Sequence, residues 1–148
     1  MKTIQGDLWK YFGRDEYIVL ITTSGSRKAN GRAVMGRGCA NEARLKIPGI
    51  DRLLGAHLNS FGNNVMLTDR GYGTFPTKHQ WFDKFADLDL IAQSAAQLKK
   101  FTEHPDFKGK TFLLPRPGCG IGGLEWSQVR PLLEDLPDNV LVISKSVF

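Results

Sequence analysis

The sequence predicts an α/β domain in which helices cover both faces of a mostly parallel sheet. Three observations predict it. Short β-branched and aromatic runs alternate with stretches of helical spacing. The 148 residues suffice for one buried core and not for two. Two glycine-rich segments each lie between a strand and a helix, at the carboxyl ends of strands where such sheets hold ligands.

The elements follow in order. Tyr17-Ile18-Val19-Leu20-Ile21-Thr22 is too short for a helix, stops at Ser24-Gly25-Ser26 and reads as a buried strand. Residues 39–45 are expected to form a helix that opens directly out of the first glycine-rich segment. Ile50, Leu53, Leu54 and Leu58 make an amphipathic stretch around His57. Val65-Met66-Leu67-Thr68 follows the turn residues Gly62-Asn63-Asn64 and reads as a second strand. Leu88, Ile91, Ala95 and Leu98 recur at helical spacing, after an acidic start at Asp87 and Asp89 and before His104-Pro105. Thr111-Phe112-Leu113-Leu114, stopped by Pro115, and Val140-Leu141-Val142-Ile143 read as interior strands. Between them Val129, Leu132, Leu133 and Leu136 form another helical stripe, with Ser127 the expected N-cap and Pro131 near the helix start.

Composition narrows the class. Hydrophobic residues are 41% and charged residues 24% of the chain, as in ordinary folded soluble proteins. No apolar run approaches the ~18 residues of a membrane span, and the start lacks the apolar stretch of a secretory signal. Cys39 and Cys119 stand far apart, and no Cys, His or carboxylate cluster has metal-ligand spacing. No metal, no cofactor and no disulfide are therefore expected, in a reduced cytoplasmic setting. With no repeat, low-complexity tract or linker, residues 1–148 read as a single domain, expected to be a monomer. The net charge of +5 biases it mildly toward polyanions, although its Lys and Arg residues form no dense run.

Two segments carry chemistry. Gly31-Arg32-Ala33-Val34-Met35-Gly36-Arg37-Gly38-Cys39-Ala40 joins a strand to a helix, where unpaired amides point at an anion. It lacks the Lys-Ser/Thr ending of a nucleotide-triphosphate loop. The second, Pro115-Arg116-Pro117-Gly118-Cys119-Gly120-Ile121-Gly122-Gly123-Leu124-Glu125-Trp126, has four glycines within six positions, more than a turn needs. It reads as a backbone nest for phosphate oxygens, with Gly120 and Gly122 expected at positive φ where the phosphates approach. Two such loops at one sheet edge suit a diphosphate.

These loops, with Gly6-Asp7-Leu8 near the N-terminus, resemble macrodomains in order and spacing over almost the whole chain. The resemblance implies a three-layer α/β/α fold with a mixed, mostly parallel sheet, and ADP-ribose as ligand or product. It implies that Asp7, beside Leu8, accepts from the adenine amino group, although Asp7 also fits a cap ahead of Leu8-Trp9-Lys10-Tyr11. Val34, Met35, Gly36, Arg37, Gly38 and Cys39 would hold the pyrophosphate and distal ribose together with Pro117, Gly118, Cys119, Gly120, Ile121, Gly122, Gly123 and Leu124.

Phe75-Pro76-Thr77-Lys78-His79-Gln80-Trp81 narrows the resemblance to the DarG branch, macrodomains that remove ADP-ribose from thymidine in single-stranded DNA. It implies that Lys78 is catalytic and that ADP-ribosylated single-stranded DNA is a partner; the alternatives are a phosphatase acting on ADP-ribose 1″-phosphate and a non-catalytic reader of ADP-ribose. Among Phe75, Pro76 and Trp81 the lysine is expected to be partly desolvated, which favours the neutral amine. It equally fits a surface lysine at a strand end, lying over an aromatic. His79 adjoins it, but neighbours on a strand point to opposite faces. Arg32, Arg37 and Arg116 fit the flanking phosphodiesters and also plain solubility. Two departures stand out. Where hydrolysing macrodomains carry an Asn, this chain has Thr22-Thr23-Ser24-Gly25, so Thr23 and Ser24, with Asn30 as substitute, are expected at the distal ribose. Where a related branch has an acid in the second loop, this chain has Gly122, with Glu125 nearby as a helix-start residue. The DarG branch also carries a C-terminal segment that contacts its toxin. Ending at Phe148, the chain is expected to be the enzymatic half alone.

Overall fold

A computed structural model describes residues 1–148. In chain order the elements are β1 (Lys2–Gln5), a 3-10 turn (Leu8–Lys10), β2 (Tyr17–Ser24), α1 (Gly38–Lys46), α2 (Ile50–Phe61), β3 (Met66–Leu67) and β4 (Tyr72–Lys78). There follow α3 (Leu88–Thr102), a 3-10 turn (Pro105–Phe107), β5 (Thr111–Pro115), a 3-10 turn (Gly120–Gly122), α4 (Trp126–Leu133) and β6 (Val140–Ser144). The six strands lie in the order β1-β6-β5-β2-β4-β3, all parallel except β3, which runs antiparallel to β4.

The strand periodicity of two sorts the apolar residues onto two faces. Ile18 and Leu20 of β2, Phe112 and Leu114 of β5, and Val140 and Val142 of β6 face Ile91 and Leu98 of α3 and Val129 and Leu133 of α4. Their neighbours Val19, Ile21, Leu113 and Ile143 face the other way, onto Ala43 of α1 and Ile50 and Leu54 of α2. Two apolar cores flank one sheet, which is the three-layer mixed architecture expected. From β2 the chain winds to β4 on one side and then returns across β2 to β5 on the other. The winding thus reverses between β2 and β5, where a crevice opens beyond the strand ends.

Several local expectations change. Helix α4 is capped by Glu125, whose N–H donates to Gln128 Oε1 at 3.0 Å, and Ser127 lies inside the helix. Pro131 sits in the helix interior rather than near its start; the helix ends two residues later, so the missing N–H costs one bond in a short element. The strand expected at 65–68 is only Met66–Leu67, because Thr68 turns to donate its hydroxyl to the Tyr72 carbonyl. β1 carries no strong strand signal and is made by pairing with β6. β4 holds Pro76 in a sheet interior because β3 reaches only Gly73 and Thr74, leaving that side of Pro76 without a partner strand.

Candidate functional site

The carboxyl ends of β5, β2 and β4 are neighbours, and each delivers one wall of a cleft of about 550 Å³. From β2 comes the first glycine loop, residues 34–40; from β5 the second, around residues 118–122; from β4 comes Lys78, with Trp81 just beyond.

The first loop is seated by helix α2. The Ala33 N–H donates to the Asp51 carbonyl at 2.8 Å, and Arg32 pairs with the Asp51 carboxylate at 3.7 Å. Gly55 of α2 lies so close that a Cβ there would stand 2.0 Å from the Gly31 carbonyl oxygen. The loop then runs into α1, whose N-cap Arg37 makes no side-chain cap bond. The first-turn amides of α1 therefore open on the cleft with their partial positive charge, which suits an anion.

The second loop folds on itself. Leu124 N–H donates to the Gly118 carbonyl (2.9 Å) and Gly123 N–H to the Gly120 carbonyl (3.0 Å), leaving the amides of Gly120, Ile121 and Gly122 without a backbone acceptor. Gly118, Gly120 and Gly123 take φ of 75°, 69° and 74°, which only glycine adopts readily. Gly122 does not: its φ is ordinary, and a Cβ there would meet the Ala86 Cβ at 3.1 Å. Gly122 is small because Ala86 packs on it, and the expectation of a positive φ at this position is corrected. The two loops meet where the Ile121 side chain stands 3.1 Å from the place of a Cβ on Gly38.

Lys78 ends β4, and its Nζ donates to the Asp83 carbonyl at 3.0 Å, across the loop that follows. Its own carbonyl accepts from the Gly25 N–H (3.1 Å) and from Asn63 Nδ2 (3.0 Å), which clamps the strand end. The floor of the cleft is polar: Thr23 Oγ1 and Ser24 Oγ are buried without a hydrogen-bond partner. Burial pushes the Cys39 thiol up to about 11, and burial also raises Cys119, so neither is poised as a nucleophile.

No protein-family model matches the chain. Among curated proteins it is 26% identical over 161 residues to a DNA ADP-ribosyl transferase–DNA ADP-ribosyl glycohydrolase fusion protein of Thermosipho africanus, a match covering 90% of this chain. The chain spans only 38% of that relative's length. Among solved structures, the macrodomain of Mycobacterium tuberculosis DarG superposes with a TM-score of 0.74 at 22% identity, covering 96% of this chain and 95% of that one. The chain has the macrodomain fold. Thermosipho africanus DarTG, solved in complex with ADP-ribose, superposes on this chain with a TM-score of 0.71 at 21% identity, covering 96% of this chain and 41% of that one.

The cleft gathers most of the residues singled out in the sequence and omits others. Thr23, Ser24, Val34, Met35, Gly36, Arg37, Gly38, Cys39, Lys78, Gly118, Cys119, Gly120, Ile121 and Gly122 all line it. Asp7, Leu8, Asn30, Pro117, Gly123 and Leu124 do not. Asp7 caps the first 3-10 turn, its Oδ1 accepting from the Trp9 N–H at 3.0 Å, and Leu8 is buried in the core. Asn30 accepts from the Arg32 N–H at 3.0 Å in an exposed turn, so it does not replace the missing Asn at the cleft. Pro117 and Leu124 are turned inward beneath the second loop. Of the three arginines considered, Arg37 and Arg116 line the cleft, while Arg32 is tied to Asp51. His57 meets the Asn64 carbonyl at 3.2 Å, and burial lowers its pKa, as fits a packed histidine.

Sequence reasoning passed over Trp81 as a cleft wall, although its place in the Phe-Pro-Thr-Lys stretch was visible. It also gave residues 79–87 no structure. They form a tied loop: Asp87 N–H donates to the Thr77 carbonyl (2.9 Å), His79 Nε2 meets Asp87 Oδ2 (2.6 Å), and Ala86 N–H donates to the Gly122 carbonyl (2.9 Å).

Proposed function

We propose that this macrodomain binds ADP-ribose in the cleft and hydrolyses its bond to thymidine in single-stranded DNA. The observation that carries the reading is convergence on three neighbouring strand ends: the uncapped start of α1, the free amides of residues 120–122, and Lys78 Nζ. Two amide-lined loops that face each other suit a diphosphate. The glycohydrolase activity named for the Thermosipho relative and the ADP-ribose held by its complex support the choice of ligand and bond.

In this reading the bond between the base and the distal ribose carbon breaks, that carbon gains oxocarbenium character, and water supplies its hydroxyl and the proton for the base. Gripping the diphosphate orients the reacting carbon, which lowers the entropic part of the barrier. Lys78 acts in one of two ways. Its amine adds to the carbon as the base leaves and is then displaced by water, or its charge assists departure of the base.

The test follows release of ADP-ribose from modified single-stranded DNA by the parent, Lys78→Ala and Lys78→Arg. Lys78→Ala is expected to bind free ADP-ribose within about twofold of the parent and to lose turnover by ~10²-fold or more. Lys78→Arg regains part of the rate only if charge is the contribution, since Arg cannot serve as an amine nucleophile. Full activity of Lys78→Ala removes Lys78 from the mechanism. Turnover of ADP-ribose 1″-phosphate alone would make the protein a phosphatase, and binding without turnover of either substrate would make it a reader.

A further inference from the structure

The loop of residues 79–87 is tied at both ends and along its length, Gln80 N–H donating to Asp83 Oδ2 at 2.9 Å inside it. A loop held by so many hydrogen bonds needs no apolar side chains outside. Yet Trp81, Phe82 and Phe85 are 48%, 65% and 53% exposed. Phe82 meets Trp81 edge to face at 5.8 Å, and Phe85 leans on Gly123 of the second loop. Across the cleft mouth Ile121 is exposed as well. Three exposed rings on one loop form an apolar surface that water solvates poorly, the mark of a binding face.

Positive charge outside any ion pair lies near them. Lys84 Nζ lies 5.4 Å from the Phe85 ring, and Arg37, Lys78 and Arg116 line the cleft behind. None of these four belongs to an ion pair of the molecule. The loop's own carboxylates are engaged, Asp83 with Gln80 N–H and Asp87 with His79 and the start of α3. An apolar protein helix on this rim would cover the rings but bury cations that have no carboxylate partner. A single-stranded polynucleotide satisfies both sets, bases stacking on rings while phosphodiesters meet Lys and Arg.

We propose that Trp81, Phe82 and Phe85 form a stacking platform for the unmodified bases that flank an ADP-ribosylated nucleotide, with Lys84 and Arg116 taking the adjoining phosphodiesters. The proposal rests on the reading that the cleft takes ADP-ribose attached to DNA. It adds that the strand outside the modified residue is gripped, so substrates longer than the modified nucleoside bind more tightly.

Phe82→Ala tests it, because Phe82 is the most exposed of the three rings and lies outside the cleft wall. Two substrates are compared, ADP-ribosylated thymidine nucleoside and the same unit within a short single strand. Phe82→Ala is expected to raise KM for the strand about tenfold with kcat unchanged, to leave the nucleoside unaffected, and to be rescued by Phe82→Trp. Anisotropy of a labelled 12-residue oligothymidylate is expected to show the same loss. Equal effects on nucleoside and strand, or an unchanged KM for the strand, would overturn the platform while leaving the hydrolase reading intact. If the parent releases ADP-ribose from neither substrate, the hydrolase reading falls and the oligothymidylate arm alone decides the platform. No oligothymidylate binding by the parent would overturn the proposal and assign the rim to a protein partner.

Discussion

At the scale of single residues, the glycines of the cleft are small for different reasons, and substitution separates them. Gly36 has an ordinary φ, lines the cleft, and an added Cβ there would meet no atom within 4 Å. Gly36→Val should therefore leave Tm within ~2 °C of the parent while weakening ADP-ribose at least tenfold by calorimetry, because the new side chain takes up ligand space alone. Gly122→Val should unfold at lower temperature instead, since its Cβ presses on Ala86 at 3.1 Å. A Gly36→Val protein with unchanged affinity would move the ligand elsewhere. The cysteines give a second check. With Cys39 pushed up to about 11 by burial, iodoacetamide at pH 8 should label it ~100-fold more slowly than a free thiol. Labelling at the rate of a free thiol in the folded protein would contradict that burial.

At the scale of elements, α2 sets the first loop and the 79–87 loop sets the lysine. Gly55 never touches the cleft, yet a methyl there collides with the Gly31 carbonyl. Gly55→Ala is expected to destabilise the fold by ~1–3 kcal/mol and also to weaken ADP-ribose binding, by displacing the loop that α2 seats. Unchanged Tm and affinity in denaturation and calorimetry would show the loop independent of its helix. The other loop is latched by His79 and Asp87. Hydrogen bonding from His79 holds the Asp87 carboxyl below its ordinary value, followed by smaller help from the α3 amides it caps. A depressed folded pKa adds stability that is fully present above the unfolded value near ~4 and disappears as pH falls through the folded one. Asp87 is partly exposed, so the effect is small. Between pH 5 and 3 the parent should lose about 2 °C more in Tm than Asp87→Asn does, and parallel melting curves for the two would remove the latch from the acid response.

At the scale of the whole molecule, the three-layer fold presents its ligand edge as one surface made of three strand ends far apart in sequence. A ligand that spans both glycine loops stabilises the folded state by mass action. ADP-ribose at ~100 times its Kd should add ~2.7 kcal/mol, or about 5–10 °C in Tm, and AMP less for want of the second phosphate and distal ribose. Hydrogen exchange should slow at residues 36–40 and 118–123 together. Protection of one loop without the other would show that the ligand does not bridge them.

The alternation of strands and helices, the helices on both faces of the sheet and the two glycine loops are all legible in the amino-acid sequence. Each is written locally: the strands in apolar runs such as Ile18-Val19-Leu20-Ile21, the helices in stripes such as that of α3 before His104-Pro105, the loops in their glycines. The resemblance carried by Phe75-Pro76-Thr77-Lys78 singled out Lys78, and the two glycine-rich segments most of the cleft wall. The rest depends on contacts between segments distant in the chain and emerges only on folding. β1 exists through its pairing with β6, and Pro76 is tolerated because β3 stops short of it. Asn30 resembled a ribose ligand in spacing but is drawn into its own turn by the Arg32 N–H. Gly122 looked like a phosphate-facing glycine, yet its size answers to Ala86, which lies 36 residues away in the chain and arrives only when the 79–87 loop folds onto the second glycine loop.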